Sequence, residues 1–188
     1  MMFYLLILFV GGATIFYVAT IYNGLVALRN DIDKSWANID VLLKQRHDEV
    51  PRLVEVCKGY MQHERETLQT LVEARTRFLT ASTIDQKVQA SGNLSVSVNK
   101  LFAVAENYPA LQANVSFIEL QKRITELENQ IADRREYYND AITLFNTRIQ
   151  QMPDTFIARC FGMQPRLMFM ASTAAKAPFN LAFSPTRN

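Results

Sequence analysis

Residues 32–60 read IDKSWANIDVLLKQRHDEVPRLVEVCKGY. Apolar or large side chains fall at Ile32, Trp36, Ile39, Leu43, Val50, Leu53, Cys57 and Tyr60. The steps are 4, 3, 4, 7, 3, 4 and 3, the seven-residue step passing over the polar Arg46. That 3.5-residue repeat is the seam of a helix packed in a bundle or coiled coil. Beyond Tyr60 the seam drifts to Met61, Leu68, Leu71 or Val72, and Phe78, and good helix formers fill the gaps, which predicts helix to about Leu79.

Pro51 lies inside this pattern. It lacks the amide hydrogen that would close its own turn, and its ring crowds the carbonyl four residues back, at a cost of about 3 kcal/mol. Either the helix kinks and continues, or the chain reverses and Pro51 opens a new helix. The heptad phase carries straight through, RHDEVPR holds no Gly, and Val50 is a poor N-cap, all of which favour the kink.

Upstream of the seam, Met1–Tyr22 carries no charge and no Pro. As a helix it is about 33 Å long, enough for a hydrocarbon core of roughly 30 Å. A cleaved signal peptide would show basic residues before a shorter apolar run, so an uncleaved span is expected rather than a leader or a buried core helix. Gly11, Gly12 and Ala19 do not form GxxxG and suggest no strong helix pairing. Arg29, Lys34, Lys44 and Arg46 follow the span, so the body is expected on the cytoplasmic side and the short N-terminus outside.

Downstream, TASTIDQ (80–86) offers Ser82 with Asp85, or Thr83 with Gln86, as a capping pair for a second helix. Its stripe runs Val88, Leu94, Val98, Leu101 or Phe102, and Ala105, weakened by Gly92, and Tyr108-Pro109 ends it. A third helix, from about Leu111 to Gln151, carries Phe117, Leu120, Ile124, Leu127, Ile131, Tyr138, Ile142, Phe145 and Ile149, and Pro153 stops it. Asp154 or Thr155 could cap a short helix ending at Gly162.

The expected architecture is all-α. An N-terminal transmembrane helix (1–22) leads into an elongated antiparallel bundle of three long helices (23–152), the first kinked at Pro51, and then an irregular C-terminal tail (153–188). Reversal at Pro51 would instead give four helices, up-down-up-down. Charge divides the same way. Of 20 Lys/Arg and 18 Asp/Glu, none precedes Arg29; residues 29–154 hold 16 bases against 18 acids, and the tail holds four bases and no acid. The tail also carries Leu167, Met168, Phe169, Met170, Phe179, Leu181 and Phe183. It can seal the bundle's seam, dock on anionic lipid, or bind a partner as a peptide.

Recognisable chemistry is scarce. His47 and His63, the two histidines, would stand about 24 Å apart on one helix, too far to share a metal ion. No Glu-x-x-His pair or Gly-rich phosphate loop occurs, Cys57 reads as a buried seam residue, and the body lacks the basic stripe of a nucleic-acid binder. No cofactor, metal or nucleic acid is expected. Polar residues at special positions are the remaining candidates. Arg46 on the seam needs a carboxylate mate, with Glu106 or Asp133 in reach of the pattern. Arg46 and Asp48 beside the Pro51 site could line a polar pocket or fix register; His63 with Glu64, Glu66 and Tyr60 could form a polar cluster or an exposed face. Trp36 reads as core.

Three strings resemble the LemA family: YNGLVALRNDIDKSWANIDVLLKQRHDEVPRLVEVCKGYMQHERETL (22–68), AENYPALQANVSFIELQKRITELENQIADRREYYNDAITLFNTRI (105–149) and MPDTFIARCFGMQPRLMF (152–169). The resemblance covers about residues 22–183. It implies a short outside N-terminus, one span and a cytoplasmic helical bundle, with no established biochemical activity. The family's pattern falls on Asn23, Arg29, Trp36, Asp40, Arg46, Asp48, Pro51, Tyr60, His63, Glu64, Tyr108, Pro109 and Asn139. Arg52 departs from a common Asn, and Met170 from a common acidic residue. The expected function is a non-enzymatic, membrane-anchored scaffold with a protein partner or a second copy of itself. The alternatives are a lipid-surface or membrane-remodelling protein using the basic aromatic tail, and a small-ligand enzyme around Arg46, Asp48 and His63.

Overall fold

The structure is a computed structural model that describes residues 1–169. Met170 and the tail residues Lys176, Phe179, Leu181, Phe183 and Arg187 lie outside the described residues. Among the described residues six helices follow in order: α1 (Met2–Lys58), α2 (Arg65–Thr80), α3 (Ile84–Ala105), α4 (Pro109–Gln112), α5 (Val115–Arg148) and α6 (Asp154–Cys160).

The long helix α1 passes from the apolar segment into the body without a break. At 57 residues it extends about 85 Å. It is long and apolar enough to cross a membrane, and residues 1–20 are all exposed, with no packing partner among the described residues. From Ile21 onward the expected seam is buried: Ile32, Ile39, Leu43, Val50, Leu53 and Cys57 are each 0–2% exposed.

The expected helix to Leu79 is corrected. Pro51 lies inside α1, exposed, and neither starts a new helix nor reverses the chain. The reversal comes at Gly59–Glu64. Gly59 is a poor helix former, and the amides of Tyr60 and Met61 both donate to the Cys57 carbonyl, closing the last turn. Met61, fully buried, plugs the turn. The drift of the seam after Tyr60 was the trace of this break.

Thr83 and Gln86 form the capping box that opens α3: the Thr83 hydroxyl accepts from the Gln86 amide, and the Gln86 side chain accepts from the Thr83 amide. Pro109 occupies the first turn of α4, and the Asn114 side chain caps α5 by accepting from the Phe117 amide at 3.1 Å. Asp154 is not the cap of α6. It sits in the first turn, buried, and pairs with Arg148 at 2.6 Å.

Cross-contacts give the topology. Tyr60 meets Asn114, Arg46 meets Glu128, and Trp36 meets Tyr138, so α5 runs antiparallel to α1. Asp40 meets Lys87 and Glu64 meets Tyr108, so α3 runs parallel to α1. The return of α2 brings Arg75 and Phe78 back to His47. The distal half is therefore a four-helix, up-down-up-down head. The proximal half is a stalk of α1 and α5, closed by α6 and residues 163–169. Gly24 admits the Arg148 guanidinium, which lies 3.1 Å from where a Cβ would stand.

Two apolar clusters fill this frame. One gathers Ile21, Leu25, Ile32, Ile39, Ile131, Ile142 and Phe145 in the stalk; the other gathers Val50, Leu53, Met61, Leu71, Leu94, Leu101 and Ile124 in the head. Each fully buried Leu or Ile contributes about 1.5–3 kcal/mol.

Candidate functional site

Between the two clusters lies a polar layer, one turn of helix thick. Its centre is Arg46, held on the seam by the same repeat that buries Leu43 and Val50. Arg46 is fully buried, and its mate is Glu128 of α5, neither Glu106 nor Asp133. Glu106 is exposed just beyond the end of α3, and Asp133 is exposed on α5. Arg46 Nη1 also donates to Ser95 Oγ (2.8 Å); Nη2 donates to Ser91 Oγ (2.8 Å) and the Ser91 carbonyl (3.0 Å). Ser95 Oγ in turn donates to Glu128 (2.9 Å), so one carboxylate is shared by a guanidinium and a hydroxyl. Burial draws the Arg46 pKa down and Glu128 counters it, which leaves an arginine that stays charged.

The layer carries more positive than negative groups. Arg135 approaches from α5, with Nη2 3.5 Å from Ser91 Oγ and its guanidinium 4.3 Å over the Phe169 ring. Arg46 Nε, Arg135 Nε and both ring nitrogens of His47 are buried without a hydrogen-bond partner among the described residues. His47 stacks on Phe78 at 3.7 Å between centroids. Burial, with Arg46 and Arg75 nearby, pushes its pKa down to about 3, so the ring is neutral near pH 7.

Pro51 belongs to this layer through the backbone. Its missing amide hydrogen would have served the carbonyl of His47, four residues earlier. That carbonyl instead accepts from Arg75 Nε of α2 at 3.1 Å. Proline thus opens a backbone acceptor in α1, and α2 docks on it. This accounts for a proline in an unbroken helix.

The remaining sequence candidates fall elsewhere. Asp48 is exposed and points away from the layer. Tyr60, His63, Glu64 and Tyr108 gather at the distal end, remote from Arg46. Tyr108 Oη donates to Glu64 (3.3 Å), and Asn114 Nδ2 donates to Tyr60 Oη (3.0 Å). His63 is exposed and makes no side-chain hydrogen bond in this group. A pocket joining Arg46, Asp48 and His63 does not form. Trp36 is half-buried between Tyr138 (5.8 Å) and Phe169 (6.3 Å). Asp40 bridges Lys87 (2.6 Å) and Lys44 (3.0 Å); burial raises its pKa, but the two lysines outweigh it and hold it below the usual value.

Several working residues carry no sequence signal of their own. Glu128 is one glutamate among many on α5, and Ser91 and Ser95 look like ordinary polar positions beside Gly92. Asn139 and Asn146, one heptad apart, clamp the tail. Asn139 Oδ1 accepts from the Phe169 amide (2.8 Å) and Nδ2 donates to its carbonyl (3.2 Å). Asn146 does the same for Arg166, at 2.8 Å each way. Two amide side chains thus imitate a strand neighbour. Asn139 stood out in the family pattern; Asn146 was readable only from its seven-residue spacing. The described part of the tail does seal the stalk's seam, with Phe169 buried and Arg166 3.9 Å from Asp33.

Among the described residues no group of His, Cys, Asp and Glu is placed to hold a metal ion. Fold and site together define an all-α, membrane-associated helical bundle built on one long apolar N-terminal helix. The chain belongs to the LemA family, whose model matches residues 35–183. The chain is similar to magnetosome protein MamQ 2 of Paramagnetospirillum magneticum, 23% identical over 86% of this chain and 70% of that one. It is also similar to magnetosome protein MamQ of Magnetospirillum gryphiswaldense, 21% identical over 84% and 67%. Protein LemA of Metamycoplasma hominis is 23% identical over 90% of this chain and 79% of its own.

Proposed function

We propose that the protein is a membrane-anchored scaffold that holds a docking head at a set height above the bilayer. Residues 1–22 are the anchor, 23–152 the bundle and 153–188 a basic, aromatic C-terminal tail; the N-terminus lies outside and the body inside the cell. The carrying observation is the continuity of α1, which leaves no hinge between the apolar segment and the head. From Tyr22 to Gly59 it rises about 55 Å.

The head end carries a groove of about 500 Å³ between the end of α1 and the start of α2. Val54, Met61, Leu68 and Val72 give it an apolar lining, Lys58 and Arg65 supply charge, and no acid lines it. This chemistry suits an acidic amphipathic segment of a protein partner. The nearby Tyr60, His63, Glu64 and Tyr108 are the proposed polar contacts, while Arg46 and its layer hold the register of the head on the stalk.

Photo-crosslinking in native membranes tests this reading, with a reactive residue at Gln69 in the groove and a control at Ala37 on the stalk. A discrete adduct from Gln69 alone, lost in Lys58→Glu/Arg65→Glu, supports it. Equal, diffuse labelling from both sites contradicts it. The same adduct at the mass of two chains would make the partner a second copy.

A further inference from the structure

The short helix α6 lies where α1 leaves its apolar segment. Ile157 and Ala158 are buried in the stalk core beside Ile21 and Leu25, and the Phe161 ring lies 4.4 Å from that of Tyr22. Tyr22 lies just past the exposed residues 1–20 of α1, so this contact fixes the depth of α6 relative to any bilayer that α1 crosses. On its open side α6 shows the wrong surface for water. Met152 is 71% exposed, Phe156 60% and Phe161 58%. The charges at this level are equally biased: Asp154 is consumed by Arg148, while Arg159 is exposed. Leu167 and Met168 are also exposed, but they belong to a different level. The Asn146 and Asn139 clamps hold them beside Asp33 and Trp36, about 20 Å further along α1 from Tyr22.

We infer that α6 is an interfacial collar: Met152, Phe156 and Phe161 seat in the headgroup boundary of the bilayer, with Arg159 against anionic headgroups. Phe and Met side chains at that boundary bury apolar surface among the upper acyl segments, and a cation beside them gains from anionic lipid. The collar rests on the membrane anchoring of α1 and commits to lipid as the occupant of this face. It ties the end of α5 to the membrane as well, giving the stalk two attachments rather than one.

The full chain, reconstituted into phosphatidylcholine vesicles with or without phosphatidylglycerol, supplies the test. Cys160 is exposed, whereas Cys57 is buried with its thiol pushed up to about 11, so a thiol-reactive fluorophore goes to Cys160. The comparison label is Met168→Cys in a Cys160→Ser chain. Iodide in the water should quench the Cys160 label about threefold less than the Met168→Cys label, and headgroup-level nitroxide lipid should quench it more. Phosphatidylglycerol should widen the gap, and Phe156→Ser/Phe161→Ser should close it. Equal iodide quenching of both labels, in vesicles that still float with the protein after alkaline washing, overturns the collar alone. Failure to float overturns the anchoring and the collar with it. Protection that grows with protein-to-lipid ratio marks a second copy on this face and also overturns it.

Discussion

The stalk and the head are built from the same helix, α1, yet they solve burial differently. In the head, four helices surround one another and the interior from Val50 to Leu111 is apolar. In the stalk only α1 and α5 continue, and two helices cannot enclose a core. The third wall is a short helix and an extended strand of chain, held by Asn139 and Asn146. Where one regime passes into the other, the chain places a charged layer. The difference shows why a bundle keeps an arginine on its seam: Arg46 accepts only the level at which Glu128, Ser91 and Ser95 converge, so it fixes the register of α1, α3 and α5 where the apolar repeat alone would permit slippage.

The largest expected effect attacks that boundary. Glu128→Ala leaves Arg46 buried without its carboxylate and is expected to cost about 3 kcal/mol in denaturant unfolding, the lower end for broken buried pairs. The side chain of Glu128 is 29% exposed, so some solvent reaches the site. Arg46→Met with Glu128→Leu should recover most of the loss, because no unpaired charge remains. A double variant as unstable as Glu128→Ala would show that the layer works by something other than charge pairing.

Next comes the joint between α1 and α2. Arg75→Leu should cost about 2 kcal/mol, since it strands the His47 carbonyl that Pro51 leaves open. In a Pro51→Ala chain the amide of residue 51 can serve that carbonyl, so the cost of Arg75→Leu should fall by half or more. Identical costs in both backgrounds would break the proposed link.

Acid probes the same layer through His47. Its folded pKa, about 3, lies below the ordinary 6.5, so above pH 6.5 the group contributes no pH dependence. As pH falls from 6.5 toward 3 the unfolded chain takes up a proton that the folded chain refuses, and stability drops by about 1.4 kcal/mol per pH unit. His47→Phe should remove this slope and leave stability near pH 7 unchanged or higher, because both ring nitrogens lack partners among the described residues. An unaltered acid slope in His47→Phe would contradict the assignment.

The stalk's own wall is weaker. Asn139→Ala or Asn146→Ala removes two hydrogen bonds to the tail and should cost about 1–2 kcal/mol, seen as faster proteolysis around Leu167. Asp48→Asn, on the exposed face beside the layer, should change stability by less than about 0.5 kcal/mol.

Much of this frame was legible from spacing. Apart from the half-buried Trp36, the seam from Ile32 to Cys57 is buried as the heptad reading requires, and Thr83 with Gln86 caps as the motif implies. The heptad phase carried the helix through Pro51, as the structure has it, but spacing did not show that the helix ends at Gly59, where propensity and a buried Met61 act together. Arg46 announced that a carboxylate must exist but not which one: partner choice depends on the relative axial shift of α1 and α5, which no single-helix period contains. His47 was missed for the same reason. Its burial comes from Phe78 and Arg75, and both arrive only after the turn at Gly59–Glu64.

The central claim is that one unbroken helix carries the head at a fixed height. Energy transfer from a fluorophore on His63→Cys, in a Cys160→Ser chain, to acceptors in the headgroups of proteoliposomes measures that height directly. A narrow distribution near 50 Å, close to the roughly 55 Å rise of α1 from Tyr22 to Gly59, is the expected result. A broad distribution centred below about 30 Å, roughly the reach of a 20-residue helix, would show a hinge between span and head and contradict the account.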